Sequence, residues 1–128
     1  MFRDTLNNNL IKVGFSKNPF NRIKQLYNTS TATPLGITQI WWVGNMRQAE
    51  QIAHCRLEDH RINPRREFFE IAPRRDFDEF ERMDYDVTST CLDVLIELIE
   101  NDFATHSMQY CSVDVNKLYE MHLKRELN

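Results

Sequence analysis

The chain has 128 residues, 41% hydrophobic, 11% aromatic and 27% charged, which is enough apolar mass for one core and excludes an intrinsically disordered chain. Three Gly and four Pro exclude collagen-like and linker-type sequence. The formal net charge of −3 hides a division: residues 1–75 carry 12 Lys/Arg against 6 Asp/Glu, a net of +6, and residues 76–128 carry 4 against 13, a net of −9.

Met1-Phe2-Arg3-Asp4 has no apolar run and no cleavage signature of a secretory signal, and Met1 to Arg3 is read as a very short first strand. Asn7-Asn8-Asn9 is turn chemistry and closes a hairpin onto a second strand, Leu10 to Phe15, where β-branched and aromatic residues flank Gly14. Ser16 or Asn18 caps a helix with Pro19 in its first turn and Phe20, Ile23 and Leu26 on one face, ending near Asn28. A polar loop follows from Thr29 to Gly36. Ile37 to Val43 reads as one strand holding both tryptophans, which alternation points to opposite faces: one into the core, the other under a helix or against a base.

Met46 to about Ile62 is predicted as a helix with Met46, Ala49, Ala53, Leu57 and His60 on one face, stopped by Pro64. Phe68 to Ile71 is a short strand or edge segment. Beyond Pro73 the pattern becomes helical. Phe77, Phe80 and Met83 mark a short helix; Thr88 or Ser89 caps a helix over Thr90 to Phe103; and a last helix runs from Val113 to Leu127, capped near Asp114. Leu92, Leu95, Ile96 and Ile99 form a stripe that needs burial. The longest apolar stretch, Leu92 to Ile99, is interrupted by Asp93 and Glu97, so no membrane span is expected. Cys55, Cys91 and Cys111 lack metal-ligand or redox spacing. They read as reduced thiols of a reducing compartment, which suggests the cytoplasm (of a host cell, if the chain is viral) and leaves the nucleus open.

Three residues are candidates for chemistry. Lys12 lies on the second strand, Arg22 ten residues later on the first helix, and Glu50 at the polar edge of the second helix's apolar face. Two cations and a carboxylate converging on one sheet face suit phosphodiester cleavage. Arg22 would stabilise charge on phosphate, Glu50 would hold a hard divalent cation, and Lys12 would contact phosphate or depress the pKa of a neighbouring base. The alternative for Glu50 is a surface pair with Arg47 or His54. His54, four residues on, is either an accessory metal or proton group or a hydrogen-bonded rim histidine. Lys17, Lys24, Arg56, Arg61, Arg65 and Arg66, with Arg74 and Arg75 beyond them, form either a phosphate-binding surface or a solvated face paired with Glu58 and Asp59.

The stretch Ile11-Lys12-Val13-Gly14-Phe15-Ser16-Lys17-Asn18-Pro19-Phe20-Asn21-Arg22 resembles the second half of the GIY-YIG nuclease signature. It is closest to a small virus- and bacterium-encoded branch with Lys-Ile-Gly where other members carry Tyr-Ile-Gly. Ala49-Glu50-Gln51-Ile52-Ala53-His54 is similar to that branch's Glu-containing helix, and Arg66-Glu67-Phe68-Phe69 to its closing element. The resemblance covers about residues 1–72. It implies an α+β fold: a three-stranded antiparallel sheet flanked by helices, here followed by a helical extension over 73–128. It also implies a virus- or phage-encoded, Mg²⁺- or Mn²⁺-dependent DNA endonuclease with Arg22 as catalytic Arg and Glu50 as metal ligand. Two positions depart from the family. Its first-strand Tyr falls at Met1 or Phe2, and its second Tyr is Lys12; Tyr27 lies on the wrong element to replace either. A second reading follows from this loss and from the −9 tail: an inactive descendant that binds nucleic acid or a host protein through its acidic helices, as monomer or homodimer.

Overall fold

The computed structural model describes residues 1–18, 21, 35–62 and 68–127. The helix expected after Asn18, and with it Arg22, Lys24 and Tyr27, lies outside them, as do Arg65 and Arg66. In chain order the described strands are β1 (Phe2–Asp4), β2 (Leu10–Lys12), β3 (Leu35–Ile37), β4 (Ile40–Val43), β5 (Phe68–Glu70) and β6 (Tyr110–Val113). The described α-helices are α1 (Met46–Arg56), α2 (Glu79–Met83), α3 (Tyr85–Thr105) and α4 (Val115–Leu127). The fold is α+β.

The expected hairpin forms. Asp4, buried, accepts from the backbone N–H groups of Leu6 and Asn7 at 2.8 and 3.0 Å, which turns the chain back from β1 to β2. The sheet has four strands in the order β3-β1-β2-β5, all antiparallel, where the family resemblance implied three. The tryptophan segment is two strands instead of one, and only the first of them joins this sheet. At Thr38 and Gln39 the backbone N–H groups both turn to the Met1 carbonyl, at 3.0 and 3.5 Å. Residues 35–37 therefore pair with β1, while Ile40 to Val43 leave for a separate two-stranded sheet with β6.

α1 is capped by Asn45, whose side chain accepts from the Gln48 N–H, and ends at Arg56, short of the expected Ile62. Leu57 closes it, fully buried, and a 3₁₀ turn over Glu58–His60 follows. Ala49, Ala53 and Leu57 face inward as the spacing requires, joined by Ile52. α3 starts five residues earlier than its pattern suggested, because Asp84 caps it by accepting from the Asp86 and Val87 N–H groups. Thr88, expected as a cap, is instead buried within the helix; its hydroxyl donates to the Asp84 carbonyl at 2.9 Å and accepts from Arg3 at 2.7 Å. α3 closes through Ser107, whose φ of 54° is the left-handed C-terminal cap conformation. Strand β6 was not foreseen; the cap at Asp114, which accepts from the Asn116 and Lys117 N–H groups, was.

One core joins both halves of the sequence. Ile11 and Phe69 stand opposite each other across β2 and β5, both fully buried. They cluster with Ile52, Ala53 and Leu57 of α1 and with Leu92, Leu95, Ile99 and Phe103 of α3. The α3 stripe is thus buried against the N-terminal elements of the same chain. Each such side chain contributes about 1.5–3 kcal/mol on leaving water. No described helix is long and apolar enough to cross a membrane.

Candidate functional site

The end of β2 and the first turns of α1 come together at a cleft of about 280 Å³. Gly14, Phe15, Ser16 and Lys17 line one side, Met46, Ala49 and Glu50 another, and Trp41 to Val43 a third. The cleft is mostly apolar, and among its described lining residues the charged groups are Lys17 and Glu50. Glu50 stands at the polar edge of α1, as its angular position requires, and also reaches a shallower groove lined by Arg47, His54 and Glu58.

His54 fixes this geometry. Its Nε2 lies 3.1 Å from the Val13 carbonyl and 3.7 Å from Glu50 Oε1, with its ring 5.3 Å from that of Phe69. A carbonyl oxygen only accepts, so Nε2 carries the proton and donates to Val13. That contact clips α1 to the β2 exit and takes Nε2 out of consideration as a metal ligand. Lys12 sits on β2 between Phe2 and Phe68, with Nζ 5.8 Å from the Phe68 ring centre.

The arginines divide by what holds them. Arg56 makes two 2.7 Å bonds to Asp102 of α3, from Nε and Nη2. This bidentate pairing raises the Arg56 pKa and holds the Asp102 carboxyl below its usual range. Arg61 packs over the Phe69 ring at 5.0 Å and pairs with Glu58 at 3.3 Å; among the described residues its buried Nε has no hydrogen-bond partner. Arg75 lies against Asp59 and Asp76. Of the sequence's candidates for phosphate contact, Lys17 faces the cleft, whereas Arg56 and Arg61 are engaged in internal pairs. Arg22, Lys24, Tyr27, Arg65 and Arg66 lie outside the described residues.

Two polar residues that the sequence did not single out hold the frame. Arg3 donates to the Asn8 carbonyl, Thr88 and Ser89, with its guanidinium 4.6 Å from the Tyr85 ring centre, and so ties β1 to α3. Asn9, buried, exchanges two hydrogen bonds with the Ala72 backbone at 2.7 and 3.0 Å, continuing the β2–β5 ladder through a side chain. Their long-range roles have no local sequence signal, since Thr88 and Ser89 for Arg3 and Ala72 for Asn9 lie more than sixty residues away.

Among the described residues no three His, Cys, Asp or Glu side chains are grouped to hold a metal. A lone Glu50 still suits Mg²⁺, which is commonly bound through one or two carboxylates with substrate phosphates and water completing the shell. The T5orf172 domain matches residues 1–121. The chain belongs to the T5orf172 domain family. This GIY-YIG-like, nuclease-associated family agrees with the resemblance seen in the strand–helix signature. The T5orf172 match runs well past residue 72, so it includes α3 and β6 with the basic half. No curated protein and no solved structure matches the T5orf172 chain.

Proposed function

We propose that the protein acts on the phosphodiester backbone of DNA with a divalent cation, as a member of the Lys-Ile-Gly branch of GIY-YIG-like nucleases. The observation that carries this is Glu50 entering the same cleft as the Gly14–Lys17 exit of β2. Glu50 would hold Mg²⁺ or Mn²⁺, and the ion supplies charge neutralisation at the phosphate. Lys17, at the cleft, and Lys12, on the adjoining strand, contact phosphate oxygens. Arg22, ten residues past Lys12 in the sequence, is assigned the stabilisation of the charge that builds on phosphorus-bound oxygen. His54 positions Glu50 and the β2 exit relative to each other.

The test is plasmid cleavage in Mg²⁺ or Mn²⁺ by wild type, Glu50→Ala and Arg22→Ala. Cleavage by wild type, reduced at least about a hundredfold in either variant, is expected. Equal inertness of all three sinks the enzymatic reading. One observation favours a second reading, a DNA- or protein-binding descendant without activity: the positions where the family's Tyr would fall are Met1, just before β1, and Phe2, its first residue, both buried and without a titratable side chain. DNA retention by wild type without cleavage in any metal would select it.

A further inference from the structure

Among the described residues most aromatic rings are packed. Phe69 and Phe103 are fully buried, and Trp41 stands edge-on to Phe103 at 5.5 Å while its Nε1 donates to Glu100. Four described rings are exposed instead: Phe80 and Tyr85 in the helical half, and Trp42 (58%) and Phe15 (52%). Of the four, Trp42 and Phe15 alone line the cleft. They come from different elements, β4 and the segment after β2, yet line the same cleft as Lys17 and Glu50. Strand alternation explains Trp42: with Trp41 turned to the core, its neighbour must face away. Beside Phe15, Gly14 adds no side chain, and among the described residues no atom lies within 4 Å of where its Cβ would be.

We propose that Phe15 and Trp42 are a stacking platform for unpaired bases of single-stranded DNA, placing the adjoining phosphodiester at Lys17 and Glu50. This rests on the DNA-directed reading above and names its substrate class. Two exposed ring faces beside a cation match the two parts of a nucleotide, a base with a π-face and a phosphate with negative charge. A base inside a duplex already stacks on both neighbours and has no free face to give, so the platform selects unpaired nucleotides. The basic excess of residues 1–75 favours a polyanion over an acidic or apolar partner.

The experiment measures binding without cleavage, in EDTA, by anisotropy of a labelled oligothymidylate of about a dozen nucleotides and of an A·T duplex of equal length. Wild type is expected to bind the single strand at least about tenfold tighter than the duplex, with quenching of tryptophan emission. Trp42→Leu and Phe15→Leu should each weaken single-strand binding about tenfold, and Trp42→Phe should restore most of it. Equal affinity for duplex, or Leu variants that bind as wild type does, overturns the proposal. So does concentration-dependent dimerisation in sedimentation that Trp42→Leu abolishes, which would assign the rings to a second copy of the chain. If plasmid is cleaved but single strands are not preferred, the platform fails and the proposed function stands; if no DNA form binds, both fail.

Discussion

Ile99→Ala tests whether the basic and acidic halves are one cooperative unit. Ile99 is fully buried on α3 and shares its cluster with Ile11 of β2, Phe69 of β5 and Leu57 of α1. Its truncation removes apolar atoms from a site walled by two helices and a sheet, which leaves little room to collapse. Such changes cost about 2–5 kcal/mol, and a fully buried site between rigid elements belongs near 3–4. With a urea dependence of about 2 kcal/mol per molar, the midpoint should fall by about 1.5–2 M. The assay is equilibrium urea unfolding in a Trp42→Phe background, which leaves Trp41 as the sole tryptophan. Trp41 belongs to β4 but rests on Phe103 of α3, so its emission reports the junction. Far-UV dichroism reports the helices. One core requires both probes to shift together with an unchanged slope. A dichroism midpoint that falls while the Trp41 midpoint stays put, or a loss under about 1 kcal/mol, refutes the single core.

Two further expectations concern the polar frame. The Asp102 pKa is lowered by its hydrogen bonds to Arg56, so the pair adds stability above the unfolded carboxylate value near 3.9 and loses it as pH falls through the depressed folded value. Because the Arg56 side chain is 38% exposed, Asp102→Asn should cost only about 0.5–1 kcal/mol at pH 7, with wild type and variant converging towards pH 2 in thermal melts. Asn9→Ala strands both Ala72 backbone groups in a buried position and should cost about 2–3 kcal/mol in the urea assay, against little for Asn8→Ala in the same turn.

Local chemistry was legible in the sequence. The Asn-rich hairpin, the inward face of α1, the Asp114 cap and the α3 stripe all follow from spacing and cap residues. What was not legible depends on distant partners. The tryptophan segment looks like one strand because nothing within it announces that Met1 will capture Thr38 and Gln39. Strand β6 has only Tyr110 and Val113 as strand formers around exposed Cys111 and Ser112, and exists by pairing with β4. Thr88 looked like a cap because Ser and Thr before an apolar run usually are; the Asp84 carboxylate competes earlier, and Arg3 draws Thr88 inward. At the site, Glu50 was placed correctly on α1's edge by angle alone. The engagement of Arg56 was invisible, since Asp102 lies 46 residues away.

The division of charge between the halves bears directly on whether an anion can approach the cleft. A net of −9 beside a basic half could have covered it. The described lining from the C-terminal half is Phe103, Val113 and Leu118, none of them acidic. Asp102 is spent on Arg56 and Glu100 on the Trp41 indole, while Asp93 and Glu97 are exposed on α3. The acidic half therefore meets the basic half through an apolar core and a few specific bonds, and Glu50 is the carboxylate the cleft presents among its described residues. A divalent cation on Glu50 would reverse the one local charge that opposes phosphate. On this reading DNA affinity should rise with added Mg²⁺ at fixed ionic strength in wild type and stay flat in Glu50→Gln. Whole-chain acidity is then no guide to the partner, because the field a phosphate meets within a Debye length of about 8 Å is set by the cleft, not by the sum.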